Sequence, residues 1–452
     1  MALIIKNGII GSPAGAFRGD LLIEGEKIAA VGSSLHAAAA GVFDARGRYV
    51  LPGGVDPHTH VMLKIGARKV SDGFKAATRA ALFGGTTTIV DHPGFAPDGS
   101  SLAAPVELEL EEGAKGSFTD YSVHMVFQRY DETVRRELHD VIAKGFPTGK
   151  VYTTYAGMLR DEEIFPLMKQ MKEEGGLLFF HCENNAVTSG LGAEYQKTLP
   201  TPYDAWPKSR PDYCEAEAVK RVLTLARAAE VPVYIVHLST KAALEEVILA
   251  RRTGQTVYAE SCPQYLLLTD DRYKQENGLD YVMAPPLRGR GDCERLWRAA
   301  AQGDIDTIGT DHCSFSRAVK KRLGARNIFN APGGVPGVET RMELLFSEGV
   351  MKGRLSLERF VEITAAAPAR ILGMPDKGRL EAGADADVII IDPEQPHTVT
   401  CGALHQKADY TPYEGAALSC RCTDVWLRGE HLVADGELKE KKPKGRFIKR
   451  SL

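Results

Sequence analysis

FPTGKVYTTY, residues 146–155, reads as a buried strand with one misplaced residue. After Thr148 the run is Val151, Tyr152, two threonines and Tyr155, the β-branched and aromatic types that strands favour. Lys150 breaks the pattern, because an ammonium is strongly hydrated and is almost never fully buried without a partner. Seven further stretches also read as strands, most of them apolar until a chemical residue arrives near the end. They are YVLPGGVDPHTH (49–60), TTTIVDHP (86–93), DYSVHMVF (120–127), GLLFFHCEN (176–184), VPVYIVHLS (231–239), TVYAESCPQ (256–264) and IDTIGTDHC (305–313). Helical periodicity lies between many of them, as in DGFKAATRAALFGG, DEEIFPLMKQMKEEGG and STKAALEEVILARR, where Ser239 or Thr240 is placed to cap.

Eight strands with intervening helices predict an α/β chain built as a (β/α)8 TIM-type barrel, with a doubly wound open sheet as the alternative. The position of the polar residues decides between them. His58, His60, His92, Lys150, His181, Glu183, His237, Asp311 and His312 all fall at strand ends. In a barrel those ends meet on one face, where active sites sit. The chain ends read differently. LIIKNGIIGSPAGAFRGDLLIEGEKIAAVG and GADADVIIIDP with CTDVWLRGEHLVADGEL are short apolar runs broken by Gly, Asn and Asp. They predict one small β-sandwich domain from residues 1–50 and 375–452, beside a barrel over 51–374.

Composition narrows the function. A net charge of −3, from 56 basic and 59 acidic residues, gives no electrostatic basis for nucleic-acid or anionic-membrane partners. The basic tail KEKKPKGRFIKR is expected to be solvated or to touch another subunit. The start lacks the cationic and long apolar regions of a signal peptide, and no apolar run is long enough for a bilayer. Eight cysteines without a CxxC pair do not make a disulfide framework, so a cytoplasmic location is expected. Cys182, Cys262 and Cys313 read as small buried side chains.

His58 and His60 are two apart on a strand, which puts both imidazoles on one face and within reach of one ion. With further His and Asp at later strand ends, the pattern points to a divalent metal centre, zinc first, with iron, cobalt, nickel or manganese also compatible. Thiolate ligands are absent from the pattern, which argues against a structural zinc site. Beside cations and out of water, the Lys150 amine is driven neutral. A neutral amine reacts with CO2 to give a carbamate, an anion with two oxygens that can bridge two metals. The plainer alternative is a lysine snorkelling to solvent.

VDPHTH, GKVYTTY, HCEN, VHLST, ESCPQYLLL, YVMAPPLR and GTDHCSF, in that order, resemble the cyclic amidohydrolases, closest to the hydantoinase/dihydropyrimidinase branch. GADADVIIIDP and DYTPYEG extend the resemblance to nearly the whole chain. It implies that His58, His60, carbamylated Lys150 and Asp311 hold a buried metal. Lys150, His181 and His237 hold a more exposed one, with a hydroxide between the two. It further implies that Tyr155 hydrogen-bonds the substrate carbonyl, that Asp311 is ligand and general acid/base, and that main-chain groups at Ala284 and Gly333 hold the ring. Many relatives have Ser and Asn at those two positions. A homotetramer is implied as well.

Other residues are expected to be structural. His312 should point away from the site, His92 and His124 should orient it or bond in the core, and Glu183 and Asn184 should fix loops. His36, His139, His397, His405 and His431 receive no chemistry. Dihydroorotases resemble this family but carry arginine at the position of Met62, which argues against a carboxylated substrate. Met62, Leu63, Ile65, Phe95, Met158 and Leu159 instead predict an apolar pocket. The expected reaction is hydrolysis of hydantoins with an aryl or bulky apolar C5 group to N-carbamoyl amino acids, D-selective by resemblance. A dihydropyrimidinase or allantoinase, or a metal-free scaffold like the collapsin-response proteins, is the alternative.

Overall fold

The computed structural model describes residues 2–37, 40–65 and 68–452, without the side chain of Ile65. Its centre is a ring of parallel strands: β1 (Gly54–Thr59), β2 (Thr86–Asp91), β3 (Asp120–Val123 continuing as Met125–Val126), β4 (Thr148–Tyr152), β5 (Leu177–His181), β6 (Val233–Ile235), β7 (Val257–Ser261) and β8 (Thr307–Ile308). Each strand pairs with the next, except that β3 pairs with β2 in its first half and β4 in its second. His124 bridges the two halves by donating its N–H to Asp91 O at 2.8 Å. The ring closes where Thr59 bridges His312, with His60 N–H on His312 O at 2.8 Å and Asp311 N–H on His58 O at 2.9 Å. That closure excludes the open sheet.

The strands carry apolar residues on both faces, because side chains facing in fill the ring and those facing out meet helices. Phe180 and Ile235 pack with the helix residues Leu167, Val222 and Val247 in one core cluster. Thr240 is the helix cap, accepting from Ala243 N–H at 3.1 Å. Gly303, at φ 95°, ends the helix Arg290–Gln302 in a left-handed turn that a Cβ would disfavour.

The run 49–60 is two strands. Tyr49–Pro52 belongs to the end domain and β1 to the barrel. Gly53 lies between them, where a Cβ would come within 2.2 Å of Thr87. Tyr49–Pro52 pairs antiparallel with Val388–Asp392, which joins the two chain ends into one nine-stranded sheet among the described residues. Ile28 at one edge and Trp426 near the other enter the same apolar cluster, so the sheet folds over on itself as a small sandwich.

The tail is solvated in part, with Lys439, Lys441, Lys442, Arg446 and Lys449 exposed, but its end docks on the barrel. Tyr121 bridges Phe447, and the buried Arg450 guanidinium donates to Ser122 Oγ and Val123 O at 2.7 Å each. Tyr121 N–H donates to Arg446 O at 3.0 Å and Tyr121 O accepts from Ile448 N–H at 2.8 Å, so the tail pairs the edge that the first half of β3 does not share with β4.

A buried charge cluster fastens the end domain to β3. Lys377 Nζ lies 2.6 Å from Asp120, 2.9 Å from Asp385 and 2.8 Å from Asp387, while Arg428 pairs with Asp120. Removing one member leaves buried charge uncompensated. Lys377→Ala is therefore expected to lose about 3–5 kcal/mol of stability in denaturant unfolding.

Candidate metal centre

Six polar side chains meet at the C-terminal mouth of the ring. His58 and His60 leave β1 on the same side, while Thr59 between them turns away to donate to Asp91 at 2.6 Å. Their Nε2 atoms lie 3.3 and 3.1 Å from one Asp311 carboxylate oxygen. Lys150 Nζ lies 3.2 Å from His58 Nε2, and His181 Nδ1 lies 2.9 Å from His237 Nε2. All six are buried. Ring-nitrogen atoms of His58, His60 and His92 also lie within 4.8 Å of one another.

Tyr155, His237 and Asp311 have φ of 75°, 39° and 53°. Left-handed backbone is uncommon for non-glycine residues and is concentrated at functional sites. His237 and Asp311 follow the last paired residues of β6 and β8, so this backbone ends the strands and turns the side chains inward.

Burial favours the neutral form of three of these imidazoles. His58 and His237 are pushed well below the usual histidine range, and His181 is lowered, each chiefly by loss of water. Burial also lowers Lys150 to about 8, against the Asp311 and Glu260 carboxylates, which favour its cation. The expected help from positive neighbours is thus replaced by desolvation alone.

Two supporting groups were missed in the sequence. Glu260 on β7 accepts from His58 Nδ1–H at 2.7 Å, His237 N–H at 3.1 Å and Tyr234 OH at 2.9 Å. It leaves His58 Nε2 as a bare lone pair aimed at the cluster. Only its place on a barrel strand signalled it, as a carboxylate inside the apolar run TVYAES. Arg210 donates to Glu183 Oε2 at 2.5 Å, and the same oxygen lies 2.8 Å from His181 Nε2. Burial raises Glu183, but Arg210 and His181 pull it down to about 2. Glu183 therefore orients a ring nitrogen, while Asn184 caps the helix Asn185–Tyr195. Glu260→Ala is expected to weaken metal binding about 10–100-fold, read by competition with a chromophoric chelator.

His312 faces away, bonding Asp72 at 2.9 Å and accepting from Gly337 and Val338 N–H. His124 is held by Thr148 and Pro57 O. His139, His397, His405 and His431 pair with carboxylates away from the mouth.

A cavity of about 630 Å³ opens above the cluster, reaching His60, Lys150, His181, His237 and Asp311 at its floor. Tyr155, Ala284 and Gly333 line it, with Leu63 and Phe95. Met62, Met158 and Leu159 are not in its wall. Met62 packs against the cluster around Phe74, and Leu159 is buried in the barrel core. The Ile65 side chain lies outside the described residues. Trp206 and Phe329, from segments after β5 and β8, supply the apolar wall expected from Met158 and Leu159.

The donor set fits divalent ions: imidazoles, a carboxylate and an amine converge, and His237 Nδ1 and both His92 nitrogens lack partners. A family model described as Amidohydrolase family matches residues 49–432. A D-phenylhydantoinase of Escherichia coli O1:K1 / APEC is 41% identical over 100% of this chain and 98% of its own. The crystal structure of dihydropyrimidinase from Brevibacillus agri superposes with a TM-score of 0.97 at 37% identity, covering 100% of this chain and 99% of that one. D-hydantoinase from a Bacillus sp. AR9 gives 0.97 at 36%, covering 99% of each. On this site and these likenesses, the chain belongs to the amidohydrolase family, in its hydantoinase/dihydropyrimidinase branch.

Proposed function

We propose that this chain hydrolyses the cyclic amide of 5-substituted hydantoins to N-carbamoyl amino acids, favouring aryl or bulky apolar C5 groups and the D-form. One observation carries the reading: a floor of metal-type donors lies under an apolar wall of Leu63, Phe95, Trp206 and Phe329 in a single cavity. The relatives named D-phenylhydantoinase and D-hydantoinase support the ring, the substituent and the hand. A Cβ at Gly333 would meet only Met283 Cα, at 3.9 Å, so the space filled by Asn in many relatives is open to substrate.

The family implies a divalent metal centre. In this reading His58, His60, Lys150 and Asp311 would hold one divalent ion, zinc first, and Lys150, His181 and His237 a second, with Lys150 as a carbamate. When bound, such ions supply hydroxide near neutral pH and polarise a carbonyl. The chain does the rest. Tyr155, kept protonated by burial, donates its hydroxyl to the carbonyl oxygen as charge develops there. Asp311 takes the proton of the attacking water and returns it to the departing amide nitrogen. Main-chain groups at Ala284 and Gly333 orient the ring, and the apolar wall excludes water from the C5 group.

The division into 1–50 with 375–452 and 51–374, the homotetramer and the cytoplasmic location belong to the same proposal. Eight free cysteines accord with a reducing compartment. Among the described residues no helix is long and apolar enough to cross a membrane.

A substrate panel on protein of measured metal content tests the function. Phenylhydantoin should exceed dihydrouracil, allantoin and dihydroorotate in kcat/KM by at least about tenfold, the discrimination an apolar substituent provides. A preference for dihydrouracil would favour a dihydropyrimidinase, which the Brevibacillus agri likeness also supports. Preference for allantoin or dihydroorotate would defeat the substrate claim.

A further inference from the structure

Among the described residues, His92 is the histidine of the cradle with no partner at either ring nitrogen. It is fully buried at the end of β2. Its backbone is pinned beside His58 and His60: its N–H donates to Thr59 O at 2.8 Å, and its carbonyl lies 3.3 Å from His60 Nδ1. The ring stacks on His124 at 4.0 Å and 18°. Phenylalanine would stack there equally well, so stacking does not explain an imidazole. A buried polar ring with nothing to bond calls for a ligand. Ring nitrogens of His58, His60 and His92 lie within 4.8 Å of one another. Nitrogens about 2.1 Å from a shared ion stand at most about 4.2 Å apart, so modest side-chain turns close the group.

We propose that His92 is a further metal ligand, which with His58 and His60 holds one divalent ion while Lys150 is a bare amine. Three imidazoles suffice for zinc. The ion is thus retained before the carbamate exists, which rests on the carbamate reading above.

Zinc content after equilibrium dialysis tests this, together with the visible spectrum of cobalt-loaded protein. Lys150→Ala should keep about one ion per chain, and adding His92→Phe should remove it while circular dichroism stays native. Lys150→Ala with His92→Gln replaces that variant if the first does not fold. Equal metal content and cobalt spectra with and without His92, or no ion in Lys150→Ala, overturn the proposal. Two ions and full activity in wild-type protein free of carbamate would instead overturn the bridging role of Lys150.

Discussion

Lys150→Ala is expected to lower kcat/KM by about 10⁴-fold, a loss of roughly 5.5 kcal/mol in transition-state stabilisation. The side chain is 1% exposed, and its nitrogen lies 3.2 Å from His58 Nε2. Such an amine is a poor resident of an apolar strand unless it is converted into an anion that both halves of the donor set can share. Alanine removes that anion, so the variant should also lose at least one bound metal. Acetate or propionate, small enough for the vacated space, should restore activity partially; full activity without additive would remove the bridging anion from the account. The amine also predicts a pH dependence. Burial lowers its pKa to about 8, so below that value it is mostly protonated and unreactive toward CO2. At constant CO2 pressure, activation of carbamate-free protein should slow about tenfold per pH unit below 8 and level off above it.

Asp311→Asn is expected to lower kcat/KM about 10³–10⁴-fold with the fold intact. Asparagine keeps the shape and can still approach His58 and His60, whose Nε2 atoms lie 3.3 and 3.1 Å from a single carboxylate oxygen. It cannot accept a proton and return it. General acid–base catalysis alone is worth about 10²–10⁴. The variant should therefore lose turnover while keeping native circular dichroism and part of its metal. Activity within tenfold of wild type would show that the proton travels by another group. The φ of 53° at Asp311 is equally available to asparagine, so the substitution adds no backbone strain of its own.

Much of this site is local in origin. Two residues of strand place His58 and His60 on one face, and the apolar runs ending in His181, His237 and Asp311, like the lysine set inside GKVYTTY, are visible without any contact information. The barrel reading follows from the same runs. Met158 and Leu159 show the limit. Their apolar character was legible, but whether an apolar residue faces core or cavity depends on what packs over it, and Leu159 is covered by the barrel core. The tail shows it too, since the basic residues concealed an Arg450 that reaches β3.

By itself the sequence determined the strand–helix alternation, the joining of both ends into a β domain, and the donor types at the strand ends, because these depend on spacing along the chain. Tertiary structure decided which donors meet. Ring closure at Thr59 and His312 brings Asp311 to His58. Glu260 reaches His58 across 202 positions. Trp206, Phe329 and Arg210 arrive from short segments with no strand pattern, and the free nitrogens of His92 are known only once its neighbours are in place. Side-chain period is set by each element's own geometry, whereas these encounters are set by the twist and closure of the whole ring.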